Sequence, residues 1–133
     1  MRYVFDIETD GLLDTVSKVH CLILKDIDTN EIISYVDNWE EGVKRLEDAE
    51  LIVGHNVIKY DIPVLKKLTT FNPKGIVRDT LVCTRLIWAD IKQGDFTRTN
   101  FPTKLIGSHS LRAWGHRIGN YKDDYDGGWE TFS

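Results

Sequence analysis

Asp6 and Glu8 stand two residues apart in a stretch, residues 2–8 (RYVFDIE), that alternates apolar and polar side chains. Alternation at period two is the signature of a half-buried strand, so both carboxylates leave the same face and Ile7 between them points into the core. Two carboxylates this close repel unless one is protonated or a cation lies between them. Hard divalent ions such as Mg²⁺ or Mn²⁺ are bound by such oxygen donors. The same pair is also compatible with a solvated strand end that carries two surface acids.

A second group lies in His55-Asn56-Val57-Ile58-Lys59-Tyr60-Asp61. It follows a short apolar run, residues 51–54, and leads into a helical pattern. In an α/β sheet the carboxyl end of a strand is where ligand-binding groups collect. Asp61 is a candidate ligand and equally a candidate N-cap for the helix it opens, and Asp79, ahead of Thr80-Leu81, is read as a cap. His55 alone reads as a packed or surface histidine. Neither His-x-x-x-His nor Cys-x-x-Cys occurs, so a zinc site has no support.

The elements that must position these groups follow from periodicity. Residues 20–27 and 31–36 are strand-like, and Asp28-Thr29-Asn30 between them suits a tight turn, giving an antiparallel hairpin. Residues 39–49 place Trp39, Val43, Leu46 and Ala49 on one helical face. Residues 61–68 read as a helix with Pro63 in its first turn, and residues 79–91 as a longer one. Residues 92–106 carry no pattern and read as a long loop. Residues 108–118 form another helix, with Ser108 as N-cap, Gly119 as stop and Trp114 on the apolar face. Hairpin strands followed by alternating elements predict an α/β fold: a mixed sheet of three antiparallel and then parallel strands, flanked by helices.

The 133 residues, 41% hydrophobic and 29% charged, suit one folded domain and not a disordered chain. No apolar run reaches the ~20 residues of a membrane-spanning helix, and the amino terminus lacks the pattern of a secretory signal. The formal charge of −4 argues against a charge-driven nucleic-acid coat protein but not against an enzyme that gathers acids around cations. Cys21 and Cys83 are too few for a disulfide scaffold and read as buried thiols in a reducing cytosol.

Asp6-x-Glu8-Thr9 followed by His55-Asn56-(x)₄-Asp61 resembles the first two motifs of the DEDD superfamily of 3′→5′ exonucleases, which have a ribonuclease-H-like fold. With Val82-Cys83-Thr84-Arg85-Leu86-Ile87 and the run from Gly107 to Arg117 (GSHSLRAWGHR), nearly the whole chain is similar to the proofreading domains of family A DNA polymerases of T-seven-like phages. The resemblance implies that Asp6, Glu8 and Asp61 ligate two Mg²⁺ (or Mn²⁺) ions about 3.5–4 Å apart, with Asp6 bridging them. The substrate it implies is the 3′ end of single-stranded or frayed DNA. Thr9 and Leu12 would grip the terminal nucleotide, Leu12 as an apolar wedge, and Asn56 and Tyr60 would line the single-strand cleft. A polymerase domain, in the same chain or a separate one, would be the partner, and the host bacterial cytoplasm the location.

The family pattern also requires a third motif, a helix bearing Tyr (or His) and then a fourth Asp. Residues 121–133 contain Tyr121, Tyr125, Asp123, Asp124 and Asp126, but not at that spacing. The sequence therefore predicts a single exonuclease-like domain, residues 1–133, without its motif-bearing carboxyl-terminal helix, and a weakly active or inactive isolated chain. Losing one ligand and misplacing the attacking water costs ~10²-fold or more. Two alternatives stay open: an RNA-trimming exonuclease, and an incomplete module that binds a nucleic-acid end or docks on a polymerase.

Overall fold

The computed structural model describes residues 1–120, which fall into two compact units, the first from Met1 to Cys83 and the second starting at Thr84. The third-motif reading of residues 121–133 lies outside the described residues.

In the first unit the chain runs β1 (Arg2–Thr9), β2 (Val19–Asp26), β3 (Ile32–Tyr35), α1 (Trp39–Asp48), β4 (Leu51–Gly54), a π-helical turn (Val57–Asp61), α2 (Ile62–Leu68) and β5 (Ile76–Asp79). These strands make one five-stranded sheet in the order β3-β2-β1-β4-β5. β1, β2 and β3 pair antiparallel, and β4 and β5 join as parallel strands on the other side of β1. The α/β architecture with a mixed sheet is the one that the periodicity predicts, and it is consistent with a ribonuclease-H-like fold.

The alternation read in residues 2–8 is the alternation of burial. Tyr3, Phe5 and Ile7 are buried, whereas Val4, Asp6 and Glu8 are exposed. Register carries the division across the sheet: Phe5 faces Leu24 and Ile7 faces Leu22, all four buried, while Asp6 faces Ile23 and Glu8 faces Cys21. Val43 and Leu46 of α1 and Val64 and Leu65 of α2 belong to the same core cluster as these strand residues and Ile52. Each such side chain contributes about 1.5–3 kcal/mol by leaving water. The hairpin turn forms as expected, Asp26 Oδ1 accepting from the N–H groups of Asp28 (2.8 Å) and Thr29 (3.2 Å), with Asn30 in the left-handed region at φ 63°.

β5 is a strand that periodicity does not reveal. Its residues pair with β4 from Leu51–Ile76 to Gly54–Asp79, so Asp79 ends a strand and α3 (Thr80–Ile87) begins immediately after it. The boundary between the units falls inside α3.

Several further expectations are corrected, most of them in the second unit. Residues 92–106 are not an unstructured loop: α4 (Ile91–Asp95) and a 3₁₀ turn (Thr103–Leu105) occupy part of them, and α3 ends at Ile87 instead of continuing to 91. The cap of α5 (Leu111–Ile118) is Ser110, whose Oγ accepts from Ala113 N at 3.2 Å. Ser108 instead holds the preceding turn, its Oγ accepting from Ser110 N. Gly119 ends the helix at φ 75°, as anticipated. Trp114 is half-buried, not core; its ring lies 5.0 Å from Trp88 and 6.0 Å from His109. Cys21 and Cys83 are free thiols and likewise only half-buried.

Candidate active site

β1 is the central strand, flanked by β2 and β4, and it presents Asp6 and Glu8 on the exposed face. A register shift between Glu8 and Thr9 ends regular pairing with β2 just past the two acids. Bulges at strand ends re-aim the chain, and here residues 10–18 leave the sheet as a loop. Asp10 closes that loop: its carboxylate accepts from Ser17 N (2.9 Å), Ser17 Oγ (2.5 Å) and Lys18 N (3.1 Å), which lowers its pKa to about 2. Lys67 of α2 donates to the carbonyls of Leu13 (2.9 Å) and Asp14 (3.2 Å).

Asp61 reaches the same strand from the turn that follows β4. A Cβ on Gly54 would lie 2.2 Å from Val57 Cγ1 and 3.0 Å from the Phe5 carbonyl oxygen, so only glycine lets the chain turn this tightly after β4. Asn56 then takes a left-handed conformation (φ 61°), and the chain makes a π-helical turn before α2. Such turns rotate the residues after them and recur at functional sites. The result is that Asp61 caps nothing. Its side chain makes no capping bond to α2; Oδ2 accepts from the backbone N–H of Ile7 at 3.3 Å, and the residue is 5% exposed.

Asp61 is thereby brought to the stretch of β1 that carries Asp6 and Glu8. Burial raises the Asp61 carboxyl to about 7, with a further push from the negative charge of Asp6 and a smaller one from Glu8, opposed by the Ile7 N–H. The Cys21 thiol, opposite Glu8, is raised by burial and then by Glu8 and Asp6. Among the described residues no three His, Cys, Asp or Glu side chains close around a single ion position. The donor set is all carboxylate oxygen, the kind that Mg²⁺ and Mn²⁺ bind, and a bound cation would offset the charges of Asp6 and Glu8 that help to raise Asp61.

Of the four residues read as substrate contacts, Leu12 is 76% exposed and stands outside the core. Thr9 and Tyr60 share a hydrogen bond, and both approach the Gly11 carbonyl, Thr9 Oγ1 at 2.9 Å and Tyr60 OH at 2.5 Å. They link the loop after β1 to the turn before Asp61. Asn56 is half-buried, and its N–H donates to Asp79 Oδ1 at 2.9 Å.

Asp79 has a larger role than the cap read from sequence. It does cap α3, accepting from Leu81 N (2.9 Å) and Val82 N (3.4 Å), but it also accepts from Asn56 N and Ile58 N (3.0 Å). Burial pushes its carboxyl up; the four backbone donors outweigh this and hold it below the ordinary range. Next to it, His55 Nδ1 lies 2.9 Å from Thr80 Oγ1, which donates to the Gly54 carbonyl at 3.3 Å. The short Asp-Thr-Leu run signals the cap, but nothing in the sequence ties it to residues 56–58, which lie more than twenty positions away.

Comparison with known proteins relates the chain to phage DNA polymerases. No model of a protein family matches it. It is 39% identical, over 140 aligned positions covering 92% of its length, to the DNA-directed DNA polymerase of Escherichia phage T7. The corresponding enzyme of Enterobacteria phage T3 matches equally, at 39% over 92%. The chain is similar to one part of a phage DNA polymerase. It spans about a fifth of the length of these relatives (20% of each). Among the described residues no helix is long and apolar enough to cross a membrane.

Proposed function

We propose that this chain is a metal-dependent 3′→5′ exonuclease domain of a phage-type DNA polymerase, acting on the 3′ end of single-stranded or frayed DNA. The hydrogen bond from Ile7 N–H to Asp61 carries the reading, because Ile7 sits between Asp6 and Glu8 and the bond brings the third acid to them. The similarity to the phage T7 and T3 polymerases supports a role in DNA synthesis and makes a DNA end the fitting substrate.

Asp6, Glu8 and Asp61 would hold two Mg²⁺ or Mn²⁺ ions. When bound, these supply charge to activate a water and to stabilise the leaving 3′ oxygen during in-line attack on the terminal phosphodiester. The chain's own residues do the rest. Asp61 is fixed by a backbone bond, and its raised pKa means that metal loading would be favoured as pH rises through about 7, while Asp6 and Glu8 offer their carboxylates from the exposed face of β1. Leu12 presents an apolar edge from the loop after β1, and an apolar contact accepts any base, as an editor of mismatches requires. Thr9 and Tyr60 hold that loop against the turn bearing Asp61, and Asn56 stands at the start of that turn.

The test has two readouts. Calorimetric titration with Mn²⁺ should show binding to the wild type and at least a tenfold loss in Asp6→Ala. A 5′-labelled single strand incubated with Mg²⁺ should be shortened from its 3′ end, slowly, and not at all by Asp6→Ala. Undiminished Mn²⁺ affinity in Asp6→Ala would overturn the reading and favour the docking module. Faster trimming of RNA than of DNA would move the substrate to RNA.

A further inference from the structure

The second unit contains a charge arrangement that the proposed exonuclease chemistry does not use. Asp95, at the end of α4, is buried, and its carboxylate faces two guanidinium groups. Arg117 of α5 grips both oxygens, Nε to Oδ1 at 2.9 Å and Nη2 to Oδ2 at 2.6 Å; its side chain is only 1% exposed. Arg98 adds a single bond, Nε to Oδ1 at 3.2 Å, and Gly107 N donates to Oδ2 at 2.9 Å. Among the described residues one negative charge is set against two positive ones, and the more exposed Arg98 is where an outside anion can meet the second.

Arg98 forms one wall of an open cleft of about 400 Å³, whose other lining residues are Thr99, Asn100, Phe101 and His116. The Arg117 guanidinium lies over the Phe101 ring, 5.4 Å from its centroid, and His116 meets the ring edge-on at 6.0 Å. Asn100 takes a left-handed conformation (φ 60°), which sharpens the turn between Arg98 and Phe101. Arg117 is committed to the scaffold by its two bonds to Asp95 and its burial, which leaves the more exposed Arg98 as the recognition group. A forked cation, hydroxyl and amide groups beside a braced aromatic ring suit a flat heterocycle bearing a phosphate.

We propose that this cleft binds a nucleoside phosphate, its phosphate on Arg98 and its base against Phe101. The choice of a nucleotide rests on the nucleic-acid reading above, whereas the site shares no residue with the three acids. The ligand could be a free mononucleotide or one unit of a single strand, and the two are separable. The full-length chain would be titrated in EDTA, where cleavage cannot proceed, with thymidine monophosphate and with a short fluorescein-labelled oligothymidylate.

Arg98→Gln should weaken binding about tenfold and, for the strand, flatten the plot of log affinity against log salt by about 0.7, the loss of one phosphate contact. Phe101→Leu should weaken binding about fivefold or more with the salt slope unchanged, because stacking is lost and the charge is kept. Equal affinity for both probes assigns the site to a free nucleotide, and a clear preference for the oligomer assigns it to a strand; both support the cleft. Should Arg98→Gln fail to fold by circular dichroism, Arg98→Met serves for the charge and Phe101→Leu for the stacking. Wild-type affinity and slope in the folded variants, or no binding of either probe by the wild type, would overturn the proposal. Loss of thymidine monophosphate binding in Arg98→Gln reads this cleft by itself, so failure of the exonuclease reading shows in Mn²⁺ binding and cleavage and leaves this result standing.

Discussion

Asp61 accepts a hydrogen bond from the N–H of Ile7 at 3.3 Å, across 54 positions of sequence. The bond holds a carboxyl of pKa about 7 beside the charges of Asp6 and Glu8. An acid whose pKa is raised on folding keeps its proton in the native state at pH values where the unfolded chain has lost it. Its contribution therefore favours folding least at high pH: stability falls as pH rises from about 4 to about 7 and levels off above.

Asp61→Asn removes that penalty while keeping an oxygen for Ile7. In EDTA at pH 8 its Tm should exceed that of the wild type by about 5 °C or more, and the difference should vanish near pH 4. The same substitution should weaken Mn²⁺ binding at least tenfold. Thermal melts across pH, paired with calorimetry, check both halves; a variant no more stable than wild type at pH 8 contradicts the raised pKa.

Asp79→Ala strips an acceptor from four backbone donors at once. Leaving buried N–H groups unpaired costs about 1–3 kcal/mol apiece when water cannot reach them, so a loss of about 3 kcal/mol or more is expected in urea denaturation. Because the Asp79 carboxyl is held below its ordinary range, its contribution is complete at neutral pH and is lost on acidification through its native pKa.

Leu12→Ala and Tyr60→Phe separate contact from positioning. Leu12 is exposed, so its truncation should change stability by less than about 0.5 kcal/mol while weakening single-strand binding severalfold. Tyr60→Phe deletes the hydroxyl shared by Thr9 and the Gly11 carbonyl and should cost about 1 kcal/mol. Urea midpoints and fluorescence anisotropy on the same samples give both quantities.

Arg117→Met leaves the Asp95 charge buried with, among the described residues, Arg98 and the Gly107 N–H to balance it. Breaking a buried ion pair from one side costs about 3–5 kcal/mol. Arg117→Met should unfold the second unit at markedly lower urea, and Asp95→Asn combined with Arg117→Met should recover part of the loss, which a double-mutant cycle reads directly.

Period-two alternation around Asp6 and Glu8 makes β1 and its exposed acids legible, because central strands with one covered face keep a strict pattern. The hairpin, α1, β4 and α2 are legible for similar local reasons. β5 is not: its four residues include an exposed Ile76, and their extended form comes from parallel pairing with β4, which no short window contains. In sequence Asp61 reads equally as cap or ligand; only the π-helical turn shows where its side chain goes. The capping of α5 by Ser110 over Ser108 is a choice between two similar residues two positions apart, decided by which hydroxyl faces Ala113 N. Asp95 and Arg117 cannot be paired from sequence, being 22 positions apart with no shared periodicity.

One carboxylate, that of Asp79, holds the amides of Asn56, Ile58, Leu81 and Val82 together. The turn that leads to Asp61 and the first coil of α3 are thus expected to open to deuterium together, with similar protection factors despite their separation along the chain. Fraying of α3 at that end would be felt at the turn before Asp61 without any movement of β1.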